Sequence, residues 1–159
     1  MKLYIKQRLF SIGDKFYVYD ENGEERFYVE EELFNFGKKL FIYSLGGEEL
    51  AVIEKKLFSF WPRFYIYKGD EQIAEVVKEF QFFTPAYYTV NGPEWSVEGE
   101  FFIHDYTVSD KLGDTVASVS KEWFTLGDAY EIDVRDDADL ITALSVVIVI
   151  DACIDASRN

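Results

Sequence analysis

The sequence predicts a mainly β fold, a closed antiparallel barrel of about twelve strands around a central hydrophobic C-terminal helix. Three observations carry this. From Leu140 to Ile154, twelve of fifteen residues are apolar, the exceptions being Thr142, Ser145 and Asp151. Everything upstream alternates apolar and polar residues in short runs between turn residues, as strands do. A hairpin-sized unit recurs three times within those runs.

The terminal stretch needs justification, because Val146 to Ile150 is β-branched throughout and β-branched runs favour strands. Length decides against a strand: roughly twenty residues pass without Gly or Pro, where a strand usually has about 5–6. Asp136, Asp137 and Asp139 stand where a helix N-terminus wants negative charge and a capping oxygen. Thr142, Ser145 and Asp151 do not share one helical face, and Thr142 and Ser145 can bond back to carbonyls one turn earlier. A helix that is apolar all round belongs inside a structure. The run stops at Asp151, with Asp155 beyond, so it falls short of the roughly 17–25 apolar residues of a membrane span.

The strands follow in order. Leu3 to Phe10 alternates loosely and ends in a Ser11-Ile12-Gly13-Asp14 turn. Phe16 to Tyr19 and Phe27 to Val29 are joined through Asp20-Glu21-Asn22-Gly23, a hairpin signal. Leu40 to Tyr43 leads through Gly46-Gly47 into Leu50 to Leu57. Trp61-Pro62 breaks the chain before Arg63 to Tyr67. Lys68-Gly69-Asp70 turns it into Ile73 to Phe80, and Pro85 precedes Tyr87 to Val90. Asn91-Gly92-Pro93 marks another hairpin into Trp95 to Val97. Glu100 to Val108, Val116 to Trp123 and Tyr130 to Val134 complete the set.

The repeat emerges from this order. Ala51-x-Ile53-x-Lys55, Ala74-x-Val76-x-Lys78 and Ala117-x-Val119-x-Lys121 each follow a Gly turn. Each is followed by an aromatic or Leu (Leu57, Phe80, Trp123), a bend, and an aromatic strand: Phe64-Tyr65-Ile66, Tyr87-Tyr88-Thr89, and Tyr130 with Ile132. Side by side, such units extend one antiparallel sheet. A flat sheet of about twelve strands would twist badly and leave two long edges. Closure removes the edges, and a lumen wider than that of about eight strands needs filling. A helix, about 10–12 Å across with its side chains, fills it. A two-sheet sandwich would have no place for the helix. No linker, Pro-rich spacer or low-complexity segment divides the chain, so residues 1–159 are expected to form one domain.

Composition narrows the function classes. The chain is 48% hydrophobic and 18% aromatic, with fifteen Phe and eleven Tyr, enough for a full core. A formal net charge of −14 repels polyanions, which disfavours nucleic acid and anionic membranes as partners. The single Cys153 lies in the apolar helix, so no disulfide can form within the chain, as suits a reducing compartment. Met1 to Lys6 alternates like a strand and has no signal-peptide core. The expectation is a cytoplasmic protein.

The strand count, the Ala-x-[Ile/Val]-x-Lys hairpin repeat and the final hydrophobic helix together resemble the LURP-one-related proteins, of the Tubby C-terminal-like superfamily. Leu3-Tyr4-Ile5-Lys6-Gln7, Phe10 to Phe16 and Val18-Tyr19-Asp20-Glu21-Asn22-Gly23 resemble the bacterial branch. The resemblance covers essentially the whole chain and implies a twelve-stranded barrel around a central helix. It implies no reaction. It also implies a basic strand binding phosphoinositide headgroups, as in Tubby proteins, at Lys55-Lys56 with Arg63 across the bend. Here a pair stands where those proteins carry a longer basic run, and Glu54 precedes it.

The chemistry-bearing residues are few. By period two, Lys55, Lys78 and Lys121 share a face with the Ala and Ile/Val of their repeat. The plainer reading places each where a strand leaves the core and its ammonium reaches water; the functional reading is an anion-binding rim of Lys55, Lys56, Arg63, Lys78 and Lys121. His104 is read as a strand residue beside Asp105. Ser96 and Ser109 could partner it only if the fold brought them close. A buried Cys153 is no nucleophile. The acidic runs Glu30-Glu31-Glu32, Glu48-Glu49 and Asp136-Asp137-Asp139, with Asp151 and Asp155, lack metal-loop spacing and are read as solvated faces. No phosphate-loop or dinucleotide glycine pattern occurs, so no cofactor is predicted. Trp123 is read as a packing position, and Trp61 as a partly exposed residue at a bend. The reading reached is a non-enzymatic binding or scaffold module for a protein or small-molecule partner. The alternative is a phosphoinositide- or anionic-phospholipid-associated protein.

Overall fold

A computed structural model describes residues 1–6, 15–34, 37–56, 60–80, 82–83, 85–124 and 127–158. Twelve strands run in order: β1 (Lys2–Lys6), β2 (Lys15–Asp20), β3 (Glu25–Phe34), β4 (Gly37–Ser44), β5 (Glu49–Lys55), β6 (Arg63–Lys68), β7 (Glu71–Glu79), β8 (Tyr87–Asn91), β9 (Trp95–Glu100), β10 (Asp105–Ser109), β11 (Thr115–Phe124) and β12 (Gly127–Val134). They are followed by α1 (Leu140–Arg158). Each strand pairs antiparallel with the next, and β1 pairs with β12 to close the barrel. The expected extension of the first strand to Phe10, the turn at Ser11–Asp14, Leu57 and the side chain of Trp123 lie outside the described residues.

Period two decides what faces the lumen. Across the closing seam Leu3 meets Ile132 and Ile5 meets Tyr130, and all four are buried. The repeat is equally regular: Ala51, Ala74 and Ala117 are buried, as are Ile53, Val76 and Val119. Its second strand needs one correction. Lys55 faces Phe64, Lys121 faces Tyr130, and Lys78 faces Tyr88 rather than Tyr87. The second copy therefore carries one more residue in its bend than the sequence alignment allowed, and Val90, not Thr89, is the partner of Val76.

The helix fills the barrel. Thr142 through Asp151 are buried without a break, so no face of the helix meets water there. This explains why a β-branched run is helical. The closed barrel offers no free strand edge, and a buried backbone must satisfy its own N–H and C=O groups, which only a helix does within one segment. Asp139 caps it: the Thr142 N–H donates to Asp139 Oδ1 at 3.1 Å, and the Ala143 N–H to the Asp139 carbonyl at 3.0 Å. The Lys68 ammonium, at the end of β6, pairs with the same carboxylate. Ser145 Oγ donates to the Ile141 carbonyl at 2.7 Å, so this fully buried hydroxyl is satisfied within the helix. The helix runs closest to β5 and β7, where the small Ala51 and Ala74 let it approach.

The rim at which the helix enters is built from three matching turns. Asp20, Ser44 and Asp110 each use a side-chain oxygen to accept the N–H four residues on, from Glu24, Glu48 and Asp114. The glycine three residues on donates back to the carbonyl of the same residue in each turn, and Gly113 does so at φ 88°, where a side chain would be strained. Strand register shifts by one beside each turn, which adds twist and curls the sheet toward closure.

One predicted strand is interrupted. Glu100 to Val108 divides into the end of β9, a 3-10 turn over Phe101–Ile103, and β10. His104 is thus not a strand residue. It ends the turn in the left-handed region at φ 52°, its N–H donating to the Phe101 carbonyl at 3.0 Å. The cause is the four-residue connection that pairs Asp105 with Glu100; such loops are built around a tight turn.

Candidate functional site

At the opposite rim, where the helix leaves the barrel, the lumen is not filled. Ala152 and Ala156 lie one helical turn apart with Cys153 beside them. These small side chains, after the run of Val and Ile, leave a pocket of about 270 Å³. Its walls are Leu40, Ile53, Phe64 and Pro62, and three lysines, Lys38, Lys55 and Lys78, complete it.

The lysines reach the pocket because each lies on the inward parity of its strand, at the end where the strand leaves the core: Lys38 in step with Leu40 and Ile42, Lys55 with Ile53, Lys78 with Val76. Their surroundings differ. Lys38 pairs with Glu31 at 3.0 Å, and only 8% of the Glu31 side chain is exposed. Among the described residues, Lys55 and Lys78 have no carboxylate within ion-pair distance. Burial pushes the Cys153 thiol above its ordinary range; the Tyr88 hydroxyl and the Lys78 and Lys55 ammonium groups act the other way without prevailing. Burial likewise holds the Tyr88 phenol far above its usual value.

The rim lysines of the repeat therefore divide. Lys55 and Lys78 converge on the pocket. Lys121 occupies the equivalent inward position on β11 but does not line it. Lys56 and Arg63 fall on the outward parity; Lys56 is exposed, and the Arg63 guanidinium lies 3.8 Å from Glu75. Lys38 was not anticipated, although its alternation with Leu40 and Ile42 signals an inward lysine. Glu31 overturns the reading of Glu30-Glu31-Glu32 as a solvated run. It is inward and nearly buried because Lys38 neutralises it. Asp151 is also buried, near enough to Tyr106 to help raise its phenol, after burial itself.

Beside the pocket mouth an aromatic shelf is exposed. Trp61, next to Pro62, packs tilted by 30° against Phe80 with ring centroids 4.2 Å apart and meets Phe60 edge-on at 4.9 Å. The Lys78 ammonium sits 5.2 Å from the Phe80 centroid. Phe60 is 89% exposed, and Trp61 and Phe80 about half exposed.

The His-based arrangement does not assemble. Ser96 and Ser109 face each other across β9 and β10, about 15 Å along the strand from His104 at ~3.3 Å per residue. His104 is buried and stacks on Tyr130 at 4.4 Å. Among the described residues no three His, Cys, Asp or Glu side chains cluster as a metal site needs.

The family model for LURP-one-related proteins matches residues 1–151. The chain belongs to the LURP-one-related family. A curated relative, the uncharacterized protein YxjI of Bacillus subtilis (strain 168), is 33% identical over 152 residues, covering 95% of this chain and 92% of its own. A solved protein of Arabidopsis thaliana shares the fold with a TM-score of 0.69 at 15% identity, over 96% of this chain and 90% of that one. No helix among the described residues is long and apolar enough to cross a membrane.

Proposed function

We propose that this LURP-one-related chain is a non-enzymatic binding module, and that its ligand site is the rim pocket, which takes a small anionic group. The observation that carries the reading is the convergence of Lys55 and Lys78, two ammonium groups without a carboxylate partner among the described residues, on a pocket beside the helix end. A buried Cys153 with a raised thiol and serines distant from His104 favour binding over catalysis. The phospholipid-associated alternative is weaker, because Lys56 and Arg63 diverge from the pocket lysines and the net charge of −14 opposes an anionic bilayer.

The test is a titration of the full chain with inorganic phosphate and with acetate, followed by backbone amide NMR shifts. Shifts confined to the ends of β5 and β7 and to the helix C-terminus, and abolished by Lys55→Ala with Lys78→Ala, are expected. Shifts that survive the double substitution would place any anion site elsewhere.

A further inference from the structure

We infer that the rim pocket takes an amphipathic anion: one carboxylate or phosphate monoester on an extended apolar body, held as a free molecule rather than within a bilayer. This rests on the pocket reading above. The anionic end lies between Lys55 and Lys78, and the apolar body runs out along Pro62 onto the Trp61–Phe80 shelf.

The walls argue for more than a bare ion. A small anion pairs with the two ammonium groups but leaves Leu40, Ile53 and Phe64 unused, whereas an apolar body adds burial against them. At about 270 Å³ the pocket is below the roughly 300–1,000 Å³ of sites that enclose a whole drug-sized ligand, so a larger ligand must extend beyond it. Among the described residues, a continuous way out runs past Pro62 and Lys78. Pro62 lines the pocket and adjoins Trp61, while Lys78 lines the pocket and holds its ammonium over the Phe80 ring at 5.2 Å. Cation and aromatic faces are thus contiguous, the arrangement that an anionic head with an apolar body complements. Contiguous, exposed aromatic side chains of this kind mark contact surfaces.

Charge sets the number of heads and the source. Lys38 is already neutralised by Glu31, which leaves two ammonium groups without a carboxylate among the described residues, enough for one anionic group. A bilayer presents many anionic heads to a chain with 30 acidic and 16 basic residues. A bilayer would also engage Phe82 and Phe83, which are 100% and 99% exposed; a single ligand on the Trp61–Phe80 shelf need not.

The experiment is calorimetric titration of the full chain with acetate, hexanoate, octanoate and decanoate below their micelle concentrations, with decanol as the uncharged control. In parallel, the chain is floated with phosphatidylcholine vesicles with and without phosphatidylserine. Affinity is expected to rise about two- to fourfold per added methylene, with decanol binding far more weakly than decanoate. Trp61→Ala with Phe80→Ala should flatten the chain-length dependence while leaving acetate binding in place. Lys55→Ala with Lys78→Ala should weaken every acid, and arginine at both positions should restore binding. Equal affinity for acetate and decanoate overturns the apolar body and leaves the anion pocket standing. Acids that bind independently of Lys55 and Lys78 overturn the pocket itself. Flotation that depends on Phe82 and Phe83 and outcompetes decanoate overturns the free-ligand source in favour of a membrane.

Discussion

The two rims of this barrel are built on opposite terms. At the helix-entry rim, three turns of one design fold back on their own Asp20, Ser44 and Asp110, and the helix cap is locked by Asp139 and Lys68. Polar groups there serve the chain itself. At the helix-exit rim the side chains shrink to Ala152, Cys153 and Ala156, and two lysines point inward without a carboxylate among the described residues. A barrel needs one end that fixes register and helix position, and only the other end can then be left incompletely filled. Where polar side chains are spent on local structure, a site has nothing to offer; where they are left over beside a void, it does.

The largest test removes what both rims share. Deleting the chain from Asp136 onward should abolish cooperative unfolding in denaturant, because the inner faces of twelve strands lose their filling. Leu144→Ala, at a site with no exposure, should cost roughly 2–5 kcal/mol, and Leu144→Asp more. A truncated chain that unfolds as cooperatively as the whole would make the helix peripheral and dissolve the contrast between the rims.

Gly99 offers the next effect, at the exit side. An added Cβ would stand 2.5 Å from the Tyr106 Cα and the Asp105 carbonyl oxygen, at φ +147°. Gly99→Ala should therefore cost several-fold more stability than Gly113→Ala, whose position has open space and only the left-handed penalty of roughly 1–2 kcal/mol. Comparable losses at both would mean that β9 and β10 separate easily.

Asp139 sharpens the entry rim. Desolvation pushes its carboxyl up, but Lys68 and the Thr142 N–H outweigh this and hold it below the ordinary value. A lowered folded pKa means stability that is present above the unfolded value near pH ~4 and is lost as pH falls through the folded one. Asp139→Ala should cost about 0.5–2 kcal/mol near neutrality, and the penalty should shrink in acid. Asp139→Asn should keep the cap and lose the pH dependence. A penalty as large in acid as at neutrality would contradict the ionised cap.

The smallest effect belongs to the exit rim. Lys55→Ala with Lys56→Ala should change stability by about 0–1 kcal/mol, read from the denaturant midpoint. A larger loss would make these lysines structural and remove the basis for a binding role.

The architecture was legible because it rests on periodicity. Period two in the repeat placed Ala51, Ile53 and Lys55 on one face, and the uninterrupted apolar run fixed the helix despite Val146–Ile150. The candidate pocket was half legible. Lys55 and Lys78 stood out through repetition, but the same logic promoted Lys121, which lies away from the void, and Lys56 and Arg63, which parity turns outward. Lys38 and Glu31 were hidden because an inward ion pair between neighbouring strands looks, in one dimension, like two surface charges. The pocket itself depended on where small residues of the helix fall against the barrel end, a juxtaposition that no local pattern encodes. His104 escaped because a four-residue connection and a strand continuation share the same apolar–polar alternation.

The seam between β1 and β12 carries a consequence for how the protein is made. One flank of β1 pairs early, Leu3 with Asp20 of β2, but the other waits for Ile132 of β12, so the first strand stays unsatisfied on that flank until β12 has emerged. Every other strand can dock on its predecessor as it emerges, building a growing curved sheet with two open edges. The plug that occupies the lumen follows all twelve of these strands in the chain. The nascent barrel therefore remains an unclosed, hollow sheet until β12 and the helix have emerged, a state prone to edge-to-edge association. Closure through contacts of such long sequence separation is intrinsically slow. Yield in the cell should depend on chaperone supply and growth temperature more than the stability of the finished barrel would suggest.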